Sequence, residues 1–262
     1  RSIMNNIKKI GLTALAGSLV TLGSAQAGEM SVSGGINTTL KFGKGGGNTA
    51  RSIGADKDVA FTGGGELDNG TTFSMTATTN DAYGISSSTT TITTPSMGSF
   101  TFGSGTGGAS GAYDEEVPQV YEQVSDGNDT VSNKVGDFMD NNSVMYTTPT
   151  LEMMGASITA HLGYAPQAGD TTVSDGGQQT YSAAVGSGKE AGITISYDAL
   201  KVGVYGAERE RTVPQTAAAT GMYEHDEFNG SWYAKYSMGP VSIGYSEFFF
   251  DAGVTSAVTS TT

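Results

Sequence analysis

The dominant pattern is alternation with a period of two. In residues 30–42, Met30, Val32, Ile36, Leu40 and Phe42 share one parity, while Ser31, Ser33, Asn37, Thr39 and Lys41 share the other. Successive side chains of a strand point to opposite faces, so this segment predicts a strand with one apolar and one polar face. The pattern recurs around Val59–Phe61–Leu67, Phe73–Met75–Ala77, Phe100–Phe102, Val144–Tyr146, Ile158–Leu162–Tyr164, Ile193–Ile195–Tyr197, Leu200–Val202–Val204, Phe228–Trp232–Tyr236 and Val241–Ile243–Tyr245. A Thr/Ile/Ser run at 89–94 completes 11 predicted strands. Several reach the roughly 9–11 residues that a tilted strand needs to cross a bilayer.

Connections alternate as well. Short turns are predicted at Asp68-Asn69-Gly70, Pro95-Ser96-Met97-Gly98, 149–155, Asp198-Ala199 and Met238-Gly239-Pro240. Long polar stretches lie between them at 43–56, 80–88, 104–141, 165–189 and 208–227. Short, long, short, long is the order of an antiparallel meander with periplasmic turns and larger outer loops, and it predicts an all-β transmembrane barrel. If the first strand runs outward, Phe42, Phe102, Tyr164 and Phe249 end outward strands, and Tyr146, Tyr197 and Tyr236 end inward ones. All lie on the apolar parity, as aromatic girdles require. An odd count of 11 leaves an open edge, which in lipid strands unpaired backbone groups. The expectation is therefore that the chain is the N-terminal part of a longer protein.

The chain's start adds a compartment. After Met4, the basic Lys8-Lys9, the apolar stretch 10–20 and Ala25-Gln26-Ala27 follow the order of a secretory signal peptide, with a predicted mature start at Gly28. Residues 1–27 are thus assigned to upstream residues plus signal, and 28–262 to the barrel. The chain has no cysteine, so no disulfide supports an exported fold. Of the 13 Lys+Arg, three (Arg1, Lys8, Lys9) and none of the 26 acids precede Gly28, which leaves ten cations against 26 acids, a net −16. That balance excludes a nucleic-acid partner.

Catalytic chemistry is poorly represented. There are two histidines, and Ser157 lies four residues from His161 on a strand, sharing its face without meeting it. Asp126-Gly127-Asn128-Asp129 lacks the spacing and closing Glu of a calcium loop. Neither an enzyme, nor a cofactor, nor a metal site is expected. An exported, acidic, Gly/Thr-rich chain could also be a surface adhesin or a non-porin outer-membrane barrel, but a solenoid needs a fixed repeat and none is visible.

The stretch 104–141 is long and acidic: Gly108-Ala109-Ser110-Gly111-Ala112-Tyr113-Asp114-Glu115-Glu116, then Glu122 and Asp126. This stretch, the hairpin Gly65-Glu66-Leu67-Asp68-Asn69-Gly70-Thr71-Thr72-Phe73 and the segment Gly98-Ser99-Phe100-Thr101-Phe102-Gly103 resemble the Gram-negative general porins, particularly those of alphaproteobacteria. The resemblance covers 28–253. It implies an outer-membrane, homotrimeric, 16-stranded barrel in contact with membrane lipids, of which about 11 strands are present and the C-terminal part is missing. It also implies that the third outer loop, here 104–141, folds into the lumen. Asp114, Glu115, Glu116, Glu122 and Asp126 are then the constriction acids. Lys41, His161, Lys201 and Lys235, on the polar parity, become lumen-wall residues. The loop acids have no evident arginine partner. The function implied is passive diffusion of ions and small hydrophilic solutes.

Overall fold

The computed structural model describes residues 28–41, 52–80, 83–106, 108–114, 116–117, 137–139, 142–168, 185–211, 225–251 and 253. The signal segment, Phe42, Glu115, Glu122 and Asp126 lie outside them. The described residues are almost all antiparallel strand, in two compact units, Arg1–Thr90 and Thr91–Thr262. In each the strand order follows the sequence, so the fold is a meander.

The first unit contains β1 (Glu29–Lys41), β2 (Ser52–Glu66), β3 (Thr72–Thr79) and the start of β4 (Ile85–Thr94). β1 and β2 pair along their whole length, from Glu29↔Gly64 to Lys41↔Ser52. Met30, Val32 and Ile36 meet Gly63, Phe61 and Lys57, and Phe61 and Gly63 meet Ala77 and Met75. These residues form a face whose large apolar side chains are exposed. The opposite face carries hydroxyls, with the Thr62 and Thr76 Oγ atoms 3.0 Å apart.

The second unit contains the end of β4, then β5 (Gly98–Ser104), β6 (Ser143–Thr147), β7 (Leu151–Met153), β8 (Ala156–Ala165), β9 (Val185–Tyr197), β10 (Leu200–Arg211), β11 (Glu227–Met238) and β12 (Val241–Asp251). Between β5 and β6 lie a one-turn helix, α1 (Gly111–Asp114), and a 3₁₀ turn at Asp137–Met139. Twelve strands are thus seen among the described residues, against 11 expected. The additional one, β7, lies inside the predicted turn 149–155. It pairs back on β8 through Met154 and Gly155, both at positive φ (53° and 81°), which is the two-residue hairpin geometry that matches strand twist.

Strands also reach further into the polar stretches than periodicity predicts. β2 starts at Ser52 rather than after 56, β4 at Ile85, β9 at Val185, and β10 continues to Arg211. Along residues 186–190 and 208–211 both faces carry polar residues or glycine. Ser187, Lys189, Glu208 and Glu210 occupy the same parity as Ile193, Ile195 and Val204. Alternation fades there while the ladder hydrogen bonds continue, so hydropathy misses the last turns of pleat.

The second unit's apolar face is rich in aromatics near strand ends: Phe102, Tyr164, Tyr197, Tyr236 and Phe249 are all exposed. Tyr146 packs on Phe100 at 4.9 Å, and its hydroxyl donates to the Met97 carbonyl at 2.8 Å. An acid also lies among these aromatics. Glu247, opposite Trp232 in the β11–β12 ladder, sits on the apolar face. There it accepts hydrogen bonds from Trp232 Nε1 at 3.0 Å and from the Tyr245 hydroxyl at 2.7 Å.

Candidate functional site

The polar face of β8–β11 is built of cross-strand rows, each fixed by register. From the long-connection end they read Ala165–Gly188–Arg209–Glu227, Gly163–Glu190–Ala207–Asn229, His161–Gly192–Tyr205–Ser231, Thr159–Thr194–Gly203–Tyr233 and Ser157–Ser196–Lys201–Lys235. Eight residues separate Arg209 from Lys201 on β10, about 27 Å of strand. The connection 104–141 is attached to this face at every level.

In the first row Phe138 and Met139 of the 3₁₀ turn are buried. Arg209 stacks over the Phe138 ring at 4.4 Å and donates to the Ala168 carbonyl at 3.3 Å. Its Nε also donates to Glu227 at 2.6 Å, and Arg211 closes an ion pair on the same buried carboxylate. A charge out of water must be paired, and Glu227 is paired twice. The loop therefore does meet an arginine, from the wall and at its far end.

In the second row the buried Glu190 carboxylate accepts from the Ala109 amide at 3.0 and 3.2 Å and from the Tyr205 hydroxyl at 2.8 Å. A Cβ at Gly163, its cross-strand neighbour, or at Gly108 of the loop would fall on that carboxylate. Both positions must be glycine for the loop to approach this closely.

The middle rows form a socket for Tyr113 of α1, which is fully buried. Its ring stacks on Tyr205 at 5.3 Å, meets His161 edge-on at 5.7 Å and tilts against Tyr233 at 6.4 Å. Its hydroxyl lies 2.6 Å from His161 Nδ1. Gly192 and Gly203 form the floor, and a Cβ at Gly192 would clash with the ring's Cζ and hydroxyl oxygen. Burial, the largest cause, pushes the Tyr113 hydroxyl up to about 12. It is neutral at physiological pH and can share a proton with His161.

In the last row Lys201 and Lys235 are direct cross-strand partners. Like charges so placed destabilise a sheet. The Glu116 carboxylate lies between them, with Oε2 2.8 Å from Lys201 Nζ and Oε1 paired to Lys235 Nζ. Lys235 also donates to the Glu116 carbonyl at 3.3 Å. Burial works against the charged carboxylate, but hydrogen bonds and charge from Lys201 and Lys235 outweigh it and hold Glu116 below its ordinary value.

Four of the residues singled out by sequence thus converge here, Glu116, His161, Lys201 and Lys235. Asp114 ends α1. Lys41 is the last residue of β1, in the first unit. Tyr113, Glu190, Tyr205, Tyr233, Arg209 and Glu227 also belong to the site, and alternation of polar and apolar positions does not single them out. A usable signal is present: Gly163, Gly188, Gly192 and Gly203 fall on the polar parity of adjacent strands, beside tyrosines on a face otherwise largely polar or charged. Among the described residues no group of His, Asp and Glu has the geometry to hold a metal ion.

A model of the Gram-negative porin family matches residues 11–261. No curated protein matches the sequence.

Proposed function

Since the chain belongs to the Gram-negative porin family, and so to the outer membrane, we propose that it forms a water-filled diffusion channel for ions and small hydrophilic solutes, narrowed by the connection 104–141. In this reading the polar faces line the lumen and the apolar faces meet lipid. Phe42, Phe102, Tyr146, Tyr164, Tyr197, Tyr236 and Phe249 are the girdles. Asp114, Glu115, Glu116, Glu122 and Asp126 belong to the constriction, and Lys41, His161, Lys201 and Lys235 to the wall. Residues 1–27 direct export, and the assembly is a homotrimer. The observation that carries the reading is the seating of Tyr113 and Glu116 on the polar face, where a surface loop would have no reason to bury a tyrosine completely.

The sequence has no cysteine, so single-cysteine accessibility is clean. Ser157 and Ile158 are neighbours on opposite faces of β8. In the full mature protein in planar bilayers, a cationic methanethiosulfonate should lower the conductance of Ser157→Cys and leave that of Ile158→Cys unchanged. Equal responses, or no conductance from the unmodified protein, would refute the channel assignment.

A further inference from the structure

We propose that Lys201 and Lys235 form a binding subsite for anionic solutes carrying a carboxylate or phosphate group, and that Glu116 occupies it as a tethered internal ligand. This rests on the channel reading above. Two lysines stand directly opposite each other in the register, an arrangement that destabilises the sheet and that an anion between them relieves. Glu116 supplies one oxygen to each lysine. Two-point recognition of a planar carboxylate, or of two phosphate oxygens, uses this geometry.

The surroundings suit an exogenous anion. Ser157 and Ser196 continue the row beyond Lys201, and Gly244, which has no side chain, follows Lys235 in the ladder. Lys201 is about a third exposed (36 %) and Lys235 about a quarter (24 %), which leaves a path from solvent. Two cations against one acid leave the occupied cluster with a formal charge of +1, which still attracts anions.

The glutamate holds the site through tethering. Tyr113, three residues earlier, is locked in its socket, and Val117, next in the chain, packs against the same core. A ligand tethered this closely acts at an effective concentration of roughly millimolar or above. Free anions therefore compete poorly in the native protein and well once Glu116 is neutralised. The subsite thereby sets which anions pause in the constriction.

The test uses the full mature protein in planar bilayers at constant ionic strength, with inorganic phosphate and acetate as probes. Glu116→Gln should show saturable reduction of chloride current at an anion concentration about ten-fold lower than wild type. Glu116→Asp, whose side chain is one methylene shorter, should fall between them and serves if the Gln variant assembles poorly. Adding Lys201→Gln and Lys235→Gln should abolish the effect. An effect from phosphate alone, acetate alone or both supports the site and names its class. Equal sensitivity in wild type and Glu116→Gln, or sensitivity that survives loss of both lysines, overturns it. Absence of conductance in every protein would instead sink the channel reading.

Discussion

Replacing Gly192 by alanine tests the socket with a single methyl group. Gly192 is locked in the ladder on both sides, opposite His161 and Tyr205. The backbone cannot retreat without breaking two strand pairings, so the Tyr113 ring must move, because the new Cβ would clash with its Cζ and hydroxyl oxygen. A buried aromatic ring covers about 150–250 Å², worth up to roughly 4–6 kcal/mol at about 25 cal/mol per Å². Deletion of large buried rings costs about 3–5 kcal/mol in practice. Loss of the His161 hydrogen bond adds about 1 kcal/mol. That exceeds what a one-turn helix can recover elsewhere, so α1 should detach from the wall while the sheet persists. Cleavage after Glu116 by a Glu-specific protease, together with open-channel current noise, reads this out. Both should rise sharply in Gly192→Ala. The control is Gly206→Ala on the apolar face, where a Cβ would meet the Phe228 ring at 3.2 Å and the Asn229 carbonyl at 3.8 Å. Wild-type protease resistance and noise in Gly192→Ala would refute the docking argument.

Ile195→Arg puts a charge on the apolar face and should cost roughly 2–4 kcal/mol if it lies near the bilayer midplane, whereas Ser196→Glu, on the polar face beside Lys201, should assemble normally; equal assembly yields would overturn the facing of β9. Trp232 is the one tryptophan of the sequence and sits exposed on the apolar face; brominated lipids should quench its fluorescence strongly and aqueous iodide weakly, and the reverse order would invert the assignment of faces. Glu116 has a depressed folded value, so its ion pair contributes fully above the ordinary carboxyl value of 4.5 and is lost as pH falls through the lower folded one. Open-channel noise should therefore be constant from pH 8 to about 5 and increase only in stronger acid. An increase at neutral pH would show that Glu116 is not held by Lys201 and Lys235.

The strands were legible because each carries its own evidence. Ile193, Ile195 and Tyr197 announce an apolar face without reference to any other segment, and Leu200, Val202 and Val204 do the same three residues later. Strand ends were not legible, because Glu208 and Arg209 look equally polar whichever face they occupy. β7 was invisible for a different reason: three residues are too few for a period, and the pairing is set by the φ signs of Met154 and Gly155.

The site was half legible, and the half that was missed is relational. Parity alone put Lys201, Lys235 and His161 on the polar face. It could not reveal that Lys201 faces Lys235 across the ladder, since that depends on the count through the 208–227 connection. Once the register is known, the chemistry follows with little freedom. Two adjacent lysines need an anion, and the connection 104–141 offers Glu116 three residues after a tyrosine whose socket lies in the two rows above. The acidity of the segment around Asp114 to Glu116 suggested a free negative field. The pairing of Glu116 removes one of those charges and leaves the row below Tyr113 with a net positive one. The charge on this face of the channel is therefore decided by who binds whom, and the excess of acids in the composition does not predict it.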